Sequence, residues 1–102
     1  MYDEIVKVQR RLPRWLKKLN QYNSQILYAF VELSARSYPV RFDDLEKKLA
    51  NSHFKGKFKG NFDQMRNFGS KNHGKIFEVD AGFVYWWEPI KDFALEQLGE
   101  AI

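Results

Sequence analysis

The chain of 102 residues contains no cysteine. Disulfides, thiolate zinc sites and thiol catalysis are therefore excluded together, and the absence fits an intracellular, cytoplasmic setting. Histidine is nearly absent too. His53 and His73 stand 20 residues apart with no carboxylate beside either in sequence. A metal site needs more ligands at closer spacing, so both read as surface residues that add positive charge at mildly acid pH. No apolar run approaches the ~18 residues that would suggest a membrane span, and no membrane partner is expected. The first residues, MYDEIVKVQRR, carry charge throughout and do not read as a signal peptide. There is no internal repeat and no low-complexity tract. No nucleophile, base or carboxylate pair forms a convincing catalytic constellation, so the chain reads as a non-enzyme with no cofactor.

What remains is ample for a core. Hydrophobic residues make up 44% of the chain and aromatic residues 17%, enough large rings to fill one small interior. A single domain over residues 1–102 is expected. Charge is distributed in blocks. Residues 1–20 hold six cations against two acids, net +4, and residues 53–75 hold six against one, net +5. Residues 21–52 are balanced, and 76–102 carry −5, one cation against six acids. A localised basic zone interleaved with Phe and Gly, HFKGKFKGNF, is the footprint of a nucleic-acid contact.

Ile5, Val8, Leu12, Trp15, Leu16, Leu19 and Tyr22 recur at spacings of three and four, one face of a helix. That stripe is better accounted for by the protein core than by a membrane surface. Pro13 lies inside the pattern and predicts a break or kink near Leu12, with a second piece starting at Pro13. Asn23 and Ser24 either cap a new helix over residues 25–36 or lie within a helix running through them. Ile26, Leu27, Phe30 and Leu33 face inward, and Ser37-Tyr38-Pro39 ends that helix. Val40–Phe42 suits a short bridging strand. Asp43 reads as the N-cap of a helix over 44–50, with Glu46 completing a capping box and Leu45 and Leu49 inward. Asn61 reads as the cap of a short helix over 62–68, with Phe62, Met65 and Phe68 on one face and Gly69 as its stop. Residues 75–79 and 83–87 around Asp80-Ala81-Gly82 read as a β-hairpin. Pro89 opens the last helix, with Ile90, Phe93, Ala94 and Leu98 as its apolar face.

The expected class is α+β, mainly helical, in the order helix, helix, very short strand, helix, short helix, hairpin, helix. From Gln25 to Trp87 the elements QILYAFVELSAR, VRF, DDLEKKLA, NFDQMRNF and KIFEVDAGFVYWW resemble a winged helix-turn-helix domain. The resemblance divides the chain into an N-terminal helical extension (1–22), a winged-helix core (23–87) and a C-terminal helix (88–102). The Gly-rich link before the third core helix is longer than the family's usual tight turn. The resemblance implies double-stranded DNA binding, with the third helix in the major groove and the wing on phosphates or in the minor groove. It implies that Asn61, Gln64, Arg66, Asn67, Ser70, Lys71 and Asn72 lie on or after the recognition helix, where Asn and Gln can read adenine and Arg guanine. Lys55, Lys57, Lys59 and Lys75 would meet phosphates. A transcriptional regulator or mobile-element protein is the expected setting, with a homodimer through the terminal helices.

Phe54, Phe58 and Phe62 allow two readings: platforms for unpaired bases in an RNA or single-strand binder, or anchors of a loop to the core. The string Gly69-Ser70-Lys71-Asn72-His73-Gly74-Lys75 matches most of a phosphate-binding loop, but Ile76 replaces the metal-ligating hydroxyl and the order runs helix to strand. Glu88, Asp92, Glu96 and Glu100 form an acidic stripe on the last helix, solvated or set against the basic first helix. Trp86 and Trp87 would point to opposite faces of a strand, which makes one of them a candidate interface aromatic. That Trp and the acidic stripe would serve a rival function, a protein–protein interaction module on the same fold.

Overall fold

Proline 13 does not interrupt the first helix. In the computed structural model, which describes residues 2–51, 54, 56–69 and 71–101, α1 runs unbroken over Tyr2–Trp15. Proline in a helix interior removes one hydrogen bond and crowds the preceding turn, at about 3 kcal/mol. Here it stands in the last turn, and Val8, Leu12 and Trp15 are all buried. Burial of side chains this size stabilises by about 1.5–3 kcal/mol each, so the core outweighs the lost bond. Leu16 N donates to Leu12 O at 3.2 Å and the chain then turns. Leu19, expected on the buried stripe, is 60% exposed.

Helix α2 spans Tyr22–Ser34. Asn23 and Ser24 are not caps: they lie inside the helix, buried, while Gln21 holds the N-cap position without a side-chain bond. Ser24 Oγ instead donates to Trp15 O at 2.8 Å, satisfying a carbonyl left over at the end of α1. Strand β1, Val40–Arg41, follows, and α3, Phe42–Lys48, starts directly from it. Asp43 therefore sits in the first turn rather than at the cap, and no capping box forms. Its charge still complements the helix dipole. Leu45 and Leu49 are buried as expected.

Helix α4 spans Phe58–Arg66, four residues earlier at its start than the Asn61 cap predicts. Gly60 costs roughly 0.5–1 kcal/mol inside a helix, less than the burial of Phe58 and Phe62 returns. Phe68, expected on that helix, lies beyond it and is 55% exposed. Strands β2, Phe77–Asp80, and β3, Phe83–Trp86, form the hairpin, and α5 spans Glu88–Ala101.

The three strands are antiparallel in the order β1-β3-β2. Val40 pairs with Val84 and Phe77 with Trp86, so one sheet face carries these buried side chains while Glu78 and Asp80 face out. Rings join the layers. Phe30 of α2 lies 4.8 Å from Phe77 and 4.9 Å from Trp86, and Phe62 of α4 stacks on Phe77 at 5.3 Å. Helix α1 packs on α5, whose Ile90, Ala94 and Leu98 are buried. Glu4, itself buried, ties α1 to the start of the hairpin: its Oε2 accepts the Lys75 N–H at 2.9 Å and lies 3.2 Å from Lys7 Nζ. Among the described residues no helix is long and apolar enough to cross a membrane.

Candidate nucleic-acid interface

The aromatic and basic halves of the mid-chain segment separate cleanly. Phe54, Phe58 and Phe62 are all buried; they hold α4 and the loop before it in the core. The base-stacking role for Phe54 and Phe58 is thereby overturned, because no ring face remains for a base. Lys57, Lys59 and Gly60 are exposed at the start of α4, and neither lysine has an acidic partner among the described residues. Gln64, half-buried, and Asn67, exposed, continue the outer side of the helix at spacings of four and three after Gly60. Lys71 is exposed on the following loop.

Other expected contacts are committed inside the molecule. Asn61 does not cap α4; its Nδ2 donates to Lys57 O at 2.8 Å and its Oδ1 faces His73 Nε2 at 3.1 Å. Arg66 Nε pairs with Asp63 at 2.9 Å, so its guanidinium is partly neutralised in place. Asn72 Nδ2 donates to the carbonyls of Asn67 and Phe68 and closes the end of α4. Lys75 is buried rather than presented to phosphates: its Nζ donates to Arg66 O, pairs with Glu78 at 2.8 Å, and sits over Phe68 and Trp87. Lys55, Ser70 and His53 lie outside the described residues.

The loop that resembles a phosphate-binding string is turned the other way. Carbonyl oxygens of its first part face the neighbouring helix: Lys7 Nζ donates to Gly69 O at 2.7 Å, and Arg11 donates to Asn72 O and His73 O at 3.0 and 2.9 Å, while the one N–H among the described residues that reaches that helix, Lys75 N–H, donates to Glu4. Gly74 allows this approach. Its φ of +145° is unfavourable to side chains, and a Cβ there would stand 3.3 Å from Val8 and 3.4 Å from Trp15. Nor is His73 the surface residue expected. It is half-buried, set edge-on to Trp15 at 6.2 Å. Burial first, and the charge of Arg11 second, lower its pKa from the ordinary value, so it gains its charge later on acidification than an exposed histidine.

Both Trp86 and Trp87 are buried, because Trp87 lies beyond β3 and is covered by Phe68. The interface aromatic expected of this pair is not there; the exposed rings among the described residues include Phe68 and Tyr38. On α5, Glu88, Asp92 and Glu96 are exposed and form no ion pair with described residues of α1. Beside α4, the end of α1 and the turn after it bring Arg11, Arg14 and Lys18 around an open cleft of about 570 Å³ that also meets Asn61 and His73. These three cations were not singled out from sequence, although the +4 of residues 1–20 is their signal. No protein-family model, no curated protein and no solved structure matches this chain.

Proposed function

We propose that this chain is a non-enzymatic nucleic-acid-binding protein of winged-helix type, engaging double-stranded DNA with the outer side of α4. One observation carries the reading. Lys57 and Lys59 stand exposed and unpaired among the described residues at the start of α4, while the Phe residues interleaved with them are in the core. Cations at a helix N-terminus oppose the helix dipole, an arrangement that a phosphate at that end would relieve. The β1-β3-β2 order, with a hairpin following the third helix of residues 23–87, supports the winged-helix assignment. Burial of Phe54 and Phe58 favours duplex over unpaired strands, since no stacking platform is left. The outward residues of β2, Glu78 and Asp80, are acidic, so in this reading the wing stays off the phosphates and the basic side of α1 flanks the duplex instead. Regulation of transcription is the setting such a binder would serve.

Fluorescence anisotropy on a labelled random duplex and its single strand, over a salt series, tests this. Expected is micromolar-range binding to the duplex that falls steeply with salt. The Lys57→Gln/Lys59→Gln variant should lower the salt slope by about 2, roughly 1 per lost phosphate contact. Absence of binding at low salt would end the proposal.

A further inference from the structure

We propose that the cleft between the end of α1, the turn after it and His73 is a seat for a phosphate group, held by Arg11, Arg14 and Lys18. The proposal is independent of the α4 reading, because the cations involved belong to a different element. The cleft, about 570 Å³ and open to solvent, is lined by these three cations, His73 and Asn61 among neutral neighbours, and by no carboxylate of the described residues. Arg14 and Lys18 are exposed, and neither has an acidic partner among the described residues. Like charges converging on one concavity without a counter-ion repel one another, and an anion placed between them relieves that repulsion.

The backbone offsets this positive charge only in part, through the negative C-terminal end of the α1 dipole. Three of the last carbonyls of α1 already accept bonds: Leu12 O from Leu16 N, Arg14 O from Lys17 N, and Trp15 O from Lys18 N and Ser24 Oγ. Arg11 is held at the wall by its two bonds to the loop carbonyls. Both bonds use a single guanidinium nitrogen, and a guanidinium fork carries five N–H donors, so donors remain for an oxyanion. Arginine's planar fork suits phosphate.

His73 reports on the seat. The amide nitrogen of Asn61 is committed to Lys57 O, so its oxygen faces His73 and can only accept. Nε2 of His73 therefore carries the proton, and Nδ1 is the nitrogen that titrates. The groups around this imidazole are Arg11 and Trp15 of α1, Asn61 of α4, and Arg14 and Lys18 across the cleft. None is an acid. An anion bound among them would favour the imidazolium and raise its pKa.

Two sources could supply the phosphate, a nucleic-acid backbone or a free phosphate compound, and the test separates them. The full chain is titrated by NMR through the His73 Cε1–H signal, assigned with the His73→Gln variant, alone, with inorganic pyrophosphate, and with a short duplex. An upward move of the His73 pKa with pyrophosphate, abolished in Arg14→Gln/Lys18→Gln, supports a seat for free phosphate compounds. A move with duplex only, together with a salt slope lowered by about 2 in the same variant, supports a backbone seat. No move with either probe, or a move that survives the double substitution, overturns the proposal. Arg14 and Lys18 are exposed, so their loss leaves the fold intact. Duplex binding that is unaffected by this variant, with His73 unmoved, would remove the seat and keep the α4 reading. A pyrophosphate response in a chain that binds no nucleic acid would do the reverse.

Discussion

His73 shows how one residue's chemistry is set by its neighbours in space. Desolvation, then the Arg11 charge, place its pKa below the ordinary 6.5. A base depressed in the native state binds fewer protons folded than unfolded. Stability is therefore full above pH 6.5 and is lost as the pH falls from there towards the lowered native value. Urea midpoints at about pH 7.5 and about pH 5.5 should show the wild type losing more stability on acidification than His73→Gln. Parallel losses would mean that another group is responsible. In sequence His73 sits among Lys, Asn and Gly, which reads as solvent; only the fold brings Trp15 and Arg11 against it. Lys75 teaches the same lesson with opposite consequence. It belongs to the basic block, yet its charge is held internally by Glu78, the Arg66 carbonyl and two aromatic faces.

At the scale of elements, burial sets helix boundaries more strongly than caps do. α3 and α4 both start earlier than their polar cap candidates, at Phe42 and Phe58. Phe42 packs against Phe58 and Phe62 at 5.7 and 5.4 Å, so these starts are joined by one aromatic cluster. A capping bond contributes about 1 kcal/mol, less than burying one such ring. The hairpin was legible because its signal is local. Ala81 and Gly82 at its turn have φ of 50° and 81°, the paired positive values of a type I′ turn. Alanine is poorly suited to its position, whereas asparagine tolerates it. Ala81→Asn should stabilise the chain by about 0.5–1 kcal/mol, read as a higher urea midpoint at unchanged slope. A lower midpoint would show that the tip is not the local turn described.

Across the whole molecule charge is polarised. Basic residues gather on α1, the start of α4 and the loop after it, and the outer face of α5 is acidic. The apolar stripes of α1 and α5 are occupied by each other and the core within one chain. A homodimer through the terminal helices, as the winged-helix resemblance implies, would therefore join the basic face of one copy to the acidic face of another. Such a dimer should dissociate between ~0.02 M and ~0.3 M salt, as screening shortens the reach of exposed charges. Sedimentation velocity at the two salt levels checks this. A dimer that resists salt would point to an apolar contact instead, such as one through the exposed Phe68 or Leu95.

The sequence by itself determined the mixed, mainly helical class, the order of elements, the hairpin and the uneven charge, because periodicity, turn chemistry and composition are local properties of a chain. Of the candidate site it marked Lys57, Lys59, Lys71 and Lys75 alike as cations, of which the first three are exposed. Only the tertiary structure decided that α1 passes through Pro13, that Phe54 and Phe58 are core, and that Lys75 is buried. It alone brought Arg11, Arg14 and Lys18 to the same cleft as Asn61 and His73. Each of those outcomes depends on contacts between residues far apart in the chain, and the free energy of burying aromatic surface there exceeds the local preferences that a sequence displays.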